Sequence, residues 1–127
     1  MIEGIGVDIV GVERIAAIYN KHGQRFLEKL FSPGEIEYCL NRRNPPEHLA
    51  ARFAAREALA KALPAKNRPG WKQVEIISGK EGPEFRVVSS DWKPPGRIKV
   101  SLSHERQWAV ALVIIYKEVG AIETGYR

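Results

Sequence analysis

The stretch PPEHLAARFAAREALAKAL, residues 45–63, constrains the fold more than any other part of the chain. It is rich in Ala, Leu, Arg and Lys, which lose little freedom in a helix. It predicts a long helix from about Pro46 to Leu63, ended by Pro64, which can supply no further backbone donor. A shorter helix is predicted just before it in FSPGEIEYCLNR, where Ser32 is the N-cap, Pro33 the first helical residue and Glu35 the acid three positions after the cap.

Strand patterns flank these helices. Near the N-terminus Ile5, Val7 and Ile9 alternate with Gly4, Gly6 and Asp8, which predicts a buried strand over about residues 2–9 and a helix from near Val12. VEIISGKEGPEFRVV predicts a hairpin, and RIKVSLSHERQWAVALVIIYK a second one turning at HERQ. Trp108 to Tyr116 is almost unbroken apolar sequence, as expected of a central strand covered on both faces. A strand, then helices, then antiparallel strands implies an α+β fold: one small domain over residues 1–127, with a mostly antiparallel sheet packed on helices.

Hydrophobic residues make up 44% and charged residues 28%, which is globular composition, and no apolar run reaches the roughly 18 residues of a membrane span. A single cysteine, Cys39, excludes an internal disulfide, and no secretory leader pattern is seen, so a reducing cytoplasm is the expected compartment. Twenty Lys and Arg against fifteen Asp and Glu leave a charge of +5, which favours phosphates, nucleic acid or an acidic protein as partners.

Asp8 is the residue that asks for chemistry. A carboxylate on a glycine-lined strand face is costly unless its charge is compensated, and the missing side chains leave room for a ligand or another backbone to approach it. A second carboxylate, Glu57, stands one helical turn before Lys61 in FAAREALAK. Glu57 and Lys61 read equally as a surface ion pair worth ~0.3 to 0.5 kcal/mol. Taken with Asp8, however, Glu57 suits a hard cation such as magnesium, which typically takes one or two protein carboxylates and completes its shell from water and phosphate. Lys61 then reaches a phosphate oxygen, and Arg52 adds positive charge on the same helix.

His104 ends the strand RIKVSLSH, where it either bonds a nearby carbonyl or faces a ligand. His22, His48, His104 and Cys39 are scattered without zinc-ligand spacing, GIGVDI lacks the third glycine of a dinucleotide fingerprint, and GKEG lacks the spacing of a phosphate-binding loop. In VERIAAIYNKHGQRF, Arg14, Ile18, Lys21 and Arg25 recur at helical intervals and predict a basic face: solvated, or a docking surface for an acidic helix or for nucleic acid.

Together GIGVDIV, FAAREALAKAL and SLSHERQWAVA, in this order and spacing, resemble the bacterial holo-acyl-carrier-protein synthases, the small phosphopantetheinyl transferases, over almost the whole chain. The resemblance implies the 4′-phosphopantetheinyl transferase-like fold and transfer of the phosphopantetheine arm of coenzyme A to a serine of apo acyl carrier protein, releasing adenosine 3′,5′-bisphosphate. It implies magnesium on Asp8 and Glu57, bridging to the coenzyme A pyrophosphate, with Lys61, His104 and Arg52 near the coenzyme A phosphates. It implies a homotrimer with active sites at the subunit interfaces, and a first helix that receives the acidic carrier protein. His104, a site carboxylate and a metal-associated water are all available as the base. One departure from the family pattern is Arg56, where the residue before the motif glutamate is often Lys. The competing readings are a basic nucleic-acid-binding module, which leaves Asp8 and Glu57 unexplained, and another magnesium-dependent phosphotransferase, which leaves the full motif set unexplained.

Overall fold

A computed structural model describes residues 1–118. Residues 119–127, the end of the expected domain, lie outside the described residues. Strand β1 (Ile2–Gly11) leads into helices α1 (Val12–His22), α2 (Gln24–Leu30), α3 (Pro33–Leu40) and α4 (Pro45–Ala62). After a 3-10 turn come β2 (Val74–Gly79), β3 (Gly82–Val87), β4 (Arg97–His104) and β5 (Trp108–Tyr116). The strands form an antiparallel sheet in the order β1-β5-β4 and a separate antiparallel hairpin of β2 and β3. The fold is α+β, as expected.

Helix α4 lies on the sheet, and its alanines explain how closely. Ala51, Ala54, Ala58 and Ala62 of α4 are buried, as are Ala109, Ala111, Val113 and Ile115 of β5, where the helix packs on β1 and β5. A Cβ added at Gly6 would fall 2.0 Å from the Ala58 carbonyl oxygen, and one at Gly4 2.0 Å from that of Ala62. The glycines of β1 are there because the backbone of α4 occupies the space of their side chains. Asp8 continues this face beyond the glycines.

The expectation for the opposite parity is overturned. Ile5, Val7 and Ile9 are 61%, 55% and 59% exposed. They line up across the sheet with Ile114, Leu112 and Val110. Strand β5 is central, but among the described residues only its α4 face is covered; Trp108 is half exposed on the other. The apolar residues on both parities reflect two faces to bury, and the helices of the described residues cover only one.

Helix α3 has the predicted cap: Ser32 Oγ accepts from the Glu35 amide at 3.2 Å, and Glu35 Oε1 accepts from the Ser32 amide at 3.0 Å. Glu35 does more than cap. Its fully buried carboxylate also accepts from Arg56 Nη1 at 2.9 Å, from Arg56 Nη2, and from the Ile76 amide at 3.0 Å. Arg56 is therefore a buried tie between α4, α3 and β2, with further bonds to the carbonyls of Trp71 and Val74. Its planar fork makes these bonds at once, which a Lys ammonium could not.

Candidate active site

The first group of site residues gathers at the β1 edge. Lys61 Nζ donates to Asp8 Oδ1 at 2.9 Å and to the Val7 carbonyl at 3.2 Å. The Asp8 side chain is 15% exposed and that of Lys61 55%. Glu57, half-buried one turn earlier on α4, pairs with no cation among the described residues. The surface-pair reading of Glu57 and Lys61 is thereby replaced: the lysine reaches across to the strand and compensates Asp8. Asp8, which already holds positive charge, and Glu57, on the helix that supplies that charge and with no ion pair of its own among the described residues, are a donor set of hard oxygens. It fits a small divalent cation.

The second group gathers at the β4 edge. A cavity of about 300 Å³ is lined by Tyr38, His48, Arg52, Ser78, Leu102 and His104. Arg52 is only 5% exposed, and its Nε is buried without a hydrogen-bond partner among the described residues. Its guanidinium lies 4.2 Å from the centre of the Tyr38 ring, which also carries Arg42 at 4.0 Å. Stacking of this kind holds a guanidinium without using up its donors. His104 Nδ1 bonds Glu47 Oε1 at 2.9 Å, a carboxylate rather than the expected carbonyl. The His48 ring packs on His104 at 4.7 Å between centroids. Burial first, then the neighbouring His104 and Arg52 charges, hold His48 below the ordinary histidine pKa of 6.5. A cavity with a buried arginine, a second arginine nearby and two imidazoles is suited to an anion.

Asp8 and His104 both face α4, yet they are not brought together. Asp8 sits opposite Ala111 and His104 opposite Ala109 on the two sides of β5, so about 10 Å of sheet separates their strands. Lys61 and Glu57 leave α4 on the β1 flank, whereas Arg52 and His48, one turn apart, leave it on the β4 flank. A larger cavity of about 570 Å³, lined among others by Val12, Pro46, Glu47, Arg106 and Trp108, touches neither Asp8 nor Lys61.

The basic face expected near the N-terminus is divided. Gly23, with φ 58° and ψ −138°, breaks the helix, so Arg14, Ile18 and Lys21 are on α1 and Arg25 is on α2. The three cations are exposed and Ile18 is half-buried. Sequence reasoning missed Tyr38, Arg42, Glu47 and His48. The spacing of His48 and Arg52, four residues apart on one helix, was the available signal for the last of these.

Residues 4–113 match the family described as the 4′-phosphopantetheinyl transferase superfamily. The chain is 47% identical over 116 residues to the holo-[acyl-carrier-protein] synthase of Thermodesulfovibrio yellowstonii, covering 91% of this chain and 99% of that one. It is 41% identical to the synthase of Chlorobium chlorochromatii, over 87% and 98%. The crystal structure of the Neisseria meningitidis synthase is similar with a TM-score of 0.77 and 32% identity, covering 92% of this chain and all of that one. That of the Bacillus anthracis synthase, in complex with CoA (3′,5′-ADP), has a TM-score of 0.75 and 26% identity over 93% and 99%. With the fold, the near-full coverage and the three motifs in agreement, the chain belongs to the holo-[acyl-carrier-protein] synthase family of the 4′-phosphopantetheinyl transferase superfamily.

Proposed function

We propose that this chain transfers the 4′-phosphopantetheine arm of coenzyme A to a serine hydroxyl of apo acyl carrier protein, with magnesium, releasing adenosine 3′,5′-bisphosphate. The observation that carries the reading is the division of the site: a carboxylate and lysine group on the β1 edge, and an arginine and histidine cavity on the β4 edge. Coenzyme A has two chemistries to match, a pyrophosphate at the reacting bond and a phosphorylated nucleoside beyond it.

The serine oxygen attacks the pyrophosphate phosphorus that carries pantetheine, the bond to the departing adenosine bisphosphate breaks, and the serine proton leaves to a basic side chain of the site. Such a displacement needs in-line alignment and neutralised phosphoryl oxygens. Asp8 and Glu57 would hold magnesium, which when bound supplies Lewis-acid neutralisation of the pyrophosphate. Lys61 turns its exposed ammonium from Asp8 to a phosphoryl oxygen. Arg52, preorganised by Tyr38 and with a free donor, binds phosphate together with His104. The Bacillus anthracis relative in complex with CoA (3′,5′-ADP) supports coenzyme A as the donor.

The separation of the two groups supports a homotrimer in which the β1 edge of one subunit meets the β4 edge of the next. The exposed Ile5, Val7 and Ile9 with Trp108 and Leu112 support it independently, as an apolar face that nothing among the described residues covers. No helix among the described residues is long and apolar enough to cross a membrane. With the acidic carrier protein as partner and a lone buried cysteine, we place the enzyme in the cytoplasm. The test is mass spectrometry of apo carrier protein incubated with the chain, coenzyme A and magnesium. One phosphopantetheine added to the carrier is expected. An unmodified carrier, with a salt-sensitive shift of a polynucleotide instead, would establish the nucleic-acid module.

A further inference from the structure

Glu47 has no part in the reaction as derived above, yet it makes the one polar side-chain contact of His104 among the described residues. A carboxylate can only accept, so at their 2.9 Å separation the imidazole Nδ1 carries the hydrogen and donates it to Glu47 Oε1. The contact is sheltered: 14% of the Glu47 side chain and 29% of the His104 side chain are exposed. His48 packs against the same ring at an interplanar angle of 67°. The ring is thus held by one hydrogen bond and one aromatic contact, although His104 is the last residue of β4 and has no strand neighbour after it to hold it.

The two cavities meet at this contact. Glu47 lines the larger one and His104 the smaller, together with Arg52. His104 lines the cavity that holds the unpartnered Arg52 donor, and with Nδ1 tied to Glu47 its Nε2 is the ring nitrogen without a hydrogen bond among the described residues. We propose that Glu47 is the positioning residue for His104, accepting from Nδ1–H so that Nε2, which carries a hydrogen when phosphate is bound, donates to a phosphate of coenzyme A beside Arg52. The proposal rests on the coenzyme A reading above.

Glu47 also stands in the first turn of α4, where any acid interacts favourably with the helix dipole, so loss of stability alone would say nothing of positioning. The experiment therefore reads the imidazole itself. In the full-length protein, nitrogen-15 NMR of the histidine rings should show His104 as the Nδ1–H form when neutral, and Glu47→Ala should abolish that preference. Calorimetry with coenzyme A and steady-state kinetics with each substrate varied should show about tenfold weaker coenzyme A binding in Glu47→Ala, with kcat and the carrier-protein KM within about twofold of wild type. Glu47→Gln, which keeps an acceptor oxygen, should restore most of both signals. A wild type that binds no coenzyme A overturns the proposal through the reading it rests on. A wild type that binds it, with Glu47→Ala binding equally well and keeping the same tautomer, overturns the positioning role alone.

Discussion

Asp8 shares its strand face with Gly4, Gly6 and the buried Val10, and in the folded chain its charge is answered by an ammonium from the opposite element. Because the Lys61 side chain is more than half exposed, their pair contributes at most ~1 kcal/mol to stability. Asp8→Ala and Glu57→Ala are therefore expected to abolish magnesium-dependent transfer while shifting the denaturant midpoint by the equivalent of less than about 1 kcal/mol. Transfer near the wild-type rate in either variant would show that the carboxylates do not hold the metal. His48 gives a pH dependence of defined sign. Burial, reinforced by the His104 and Arg52 charges, lowers its pKa in the folded chain, so the unfolded chain binds the proton more readily. Its contribution to stability is complete above the ordinary value of 6.5 and is lost as pH falls through that value towards the lower folded one. Urea denaturation at pH 7.5 and 5.5 should show His48→Phe losing less stability on acidification than the wild type. An equal loss in both would place the acid sensitivity elsewhere.

At the scale of elements, α4 organises the site because its two flanks carry different chemistry while its alanines lie on the sheet. Its small residues and the glycines of β1 let the two backbones approach, which puts Lys61 within reach of Asp8. Gly23 performs the opposite service on the N-terminal side. Its positive φ separates α1 from α2, so the cations expected on one helical face are presented by two short helices. If this surface receives the acidic carrier protein, Arg14→Glu together with Arg25→Glu should raise the carrier-protein KM and leave that of coenzyme A nearly unchanged. Added salt should slow the wild type more than the reversed variant, because exposed charges are screened over about 8 Å at physiological ionic strength. Steady-state kinetics at low and high salt decide this. An unchanged carrier-protein KM with unchanged salt dependence would identify the helices as a solvated face.

For the whole molecule, the question is what unites two candidate half-sites that stand at opposite edges of one sheet. If neighbouring subunits complete it, Asp8→Ala and His104→Ala should each be inactive alone. Refolded together, they should regain part of the wild-type activity, since some interfaces then receive an intact Asp8 from one subunit and an intact His104 from the other. Sedimentation equilibrium of the wild type should give three times the chain mass. Valine 7 lies in the exposed apolar face, so Val7→Lys should dissociate the assembly and lose transfer. No recovery on mixing, with full activity in a stable monomer, would mean that a single chain suffices.

Local chemistry was legible in the sequence alone. The capped start of α3, the long alanine-rich α4, both hairpins and the central place of β5 follow from residue type and spacing, because caps, turns and periodicity act over a few residues. The family motifs were legible for the same reason, being short and contiguous. Tertiary structure alone decided which parity of β1 is buried, since alternation distinguishes two faces without saying which one meets a helix. It decided that Glu35 serves Arg56 as well as its own cap, and that Lys61 pairs with Asp8 rather than with Glu57. It decided too that His104 meets Glu47, 57 residues away in the chain. Each of these is a contact between distant segments, and long side chains with several partners in reach are assigned by packing and by the satisfaction of buried charge, which no local pattern encodes.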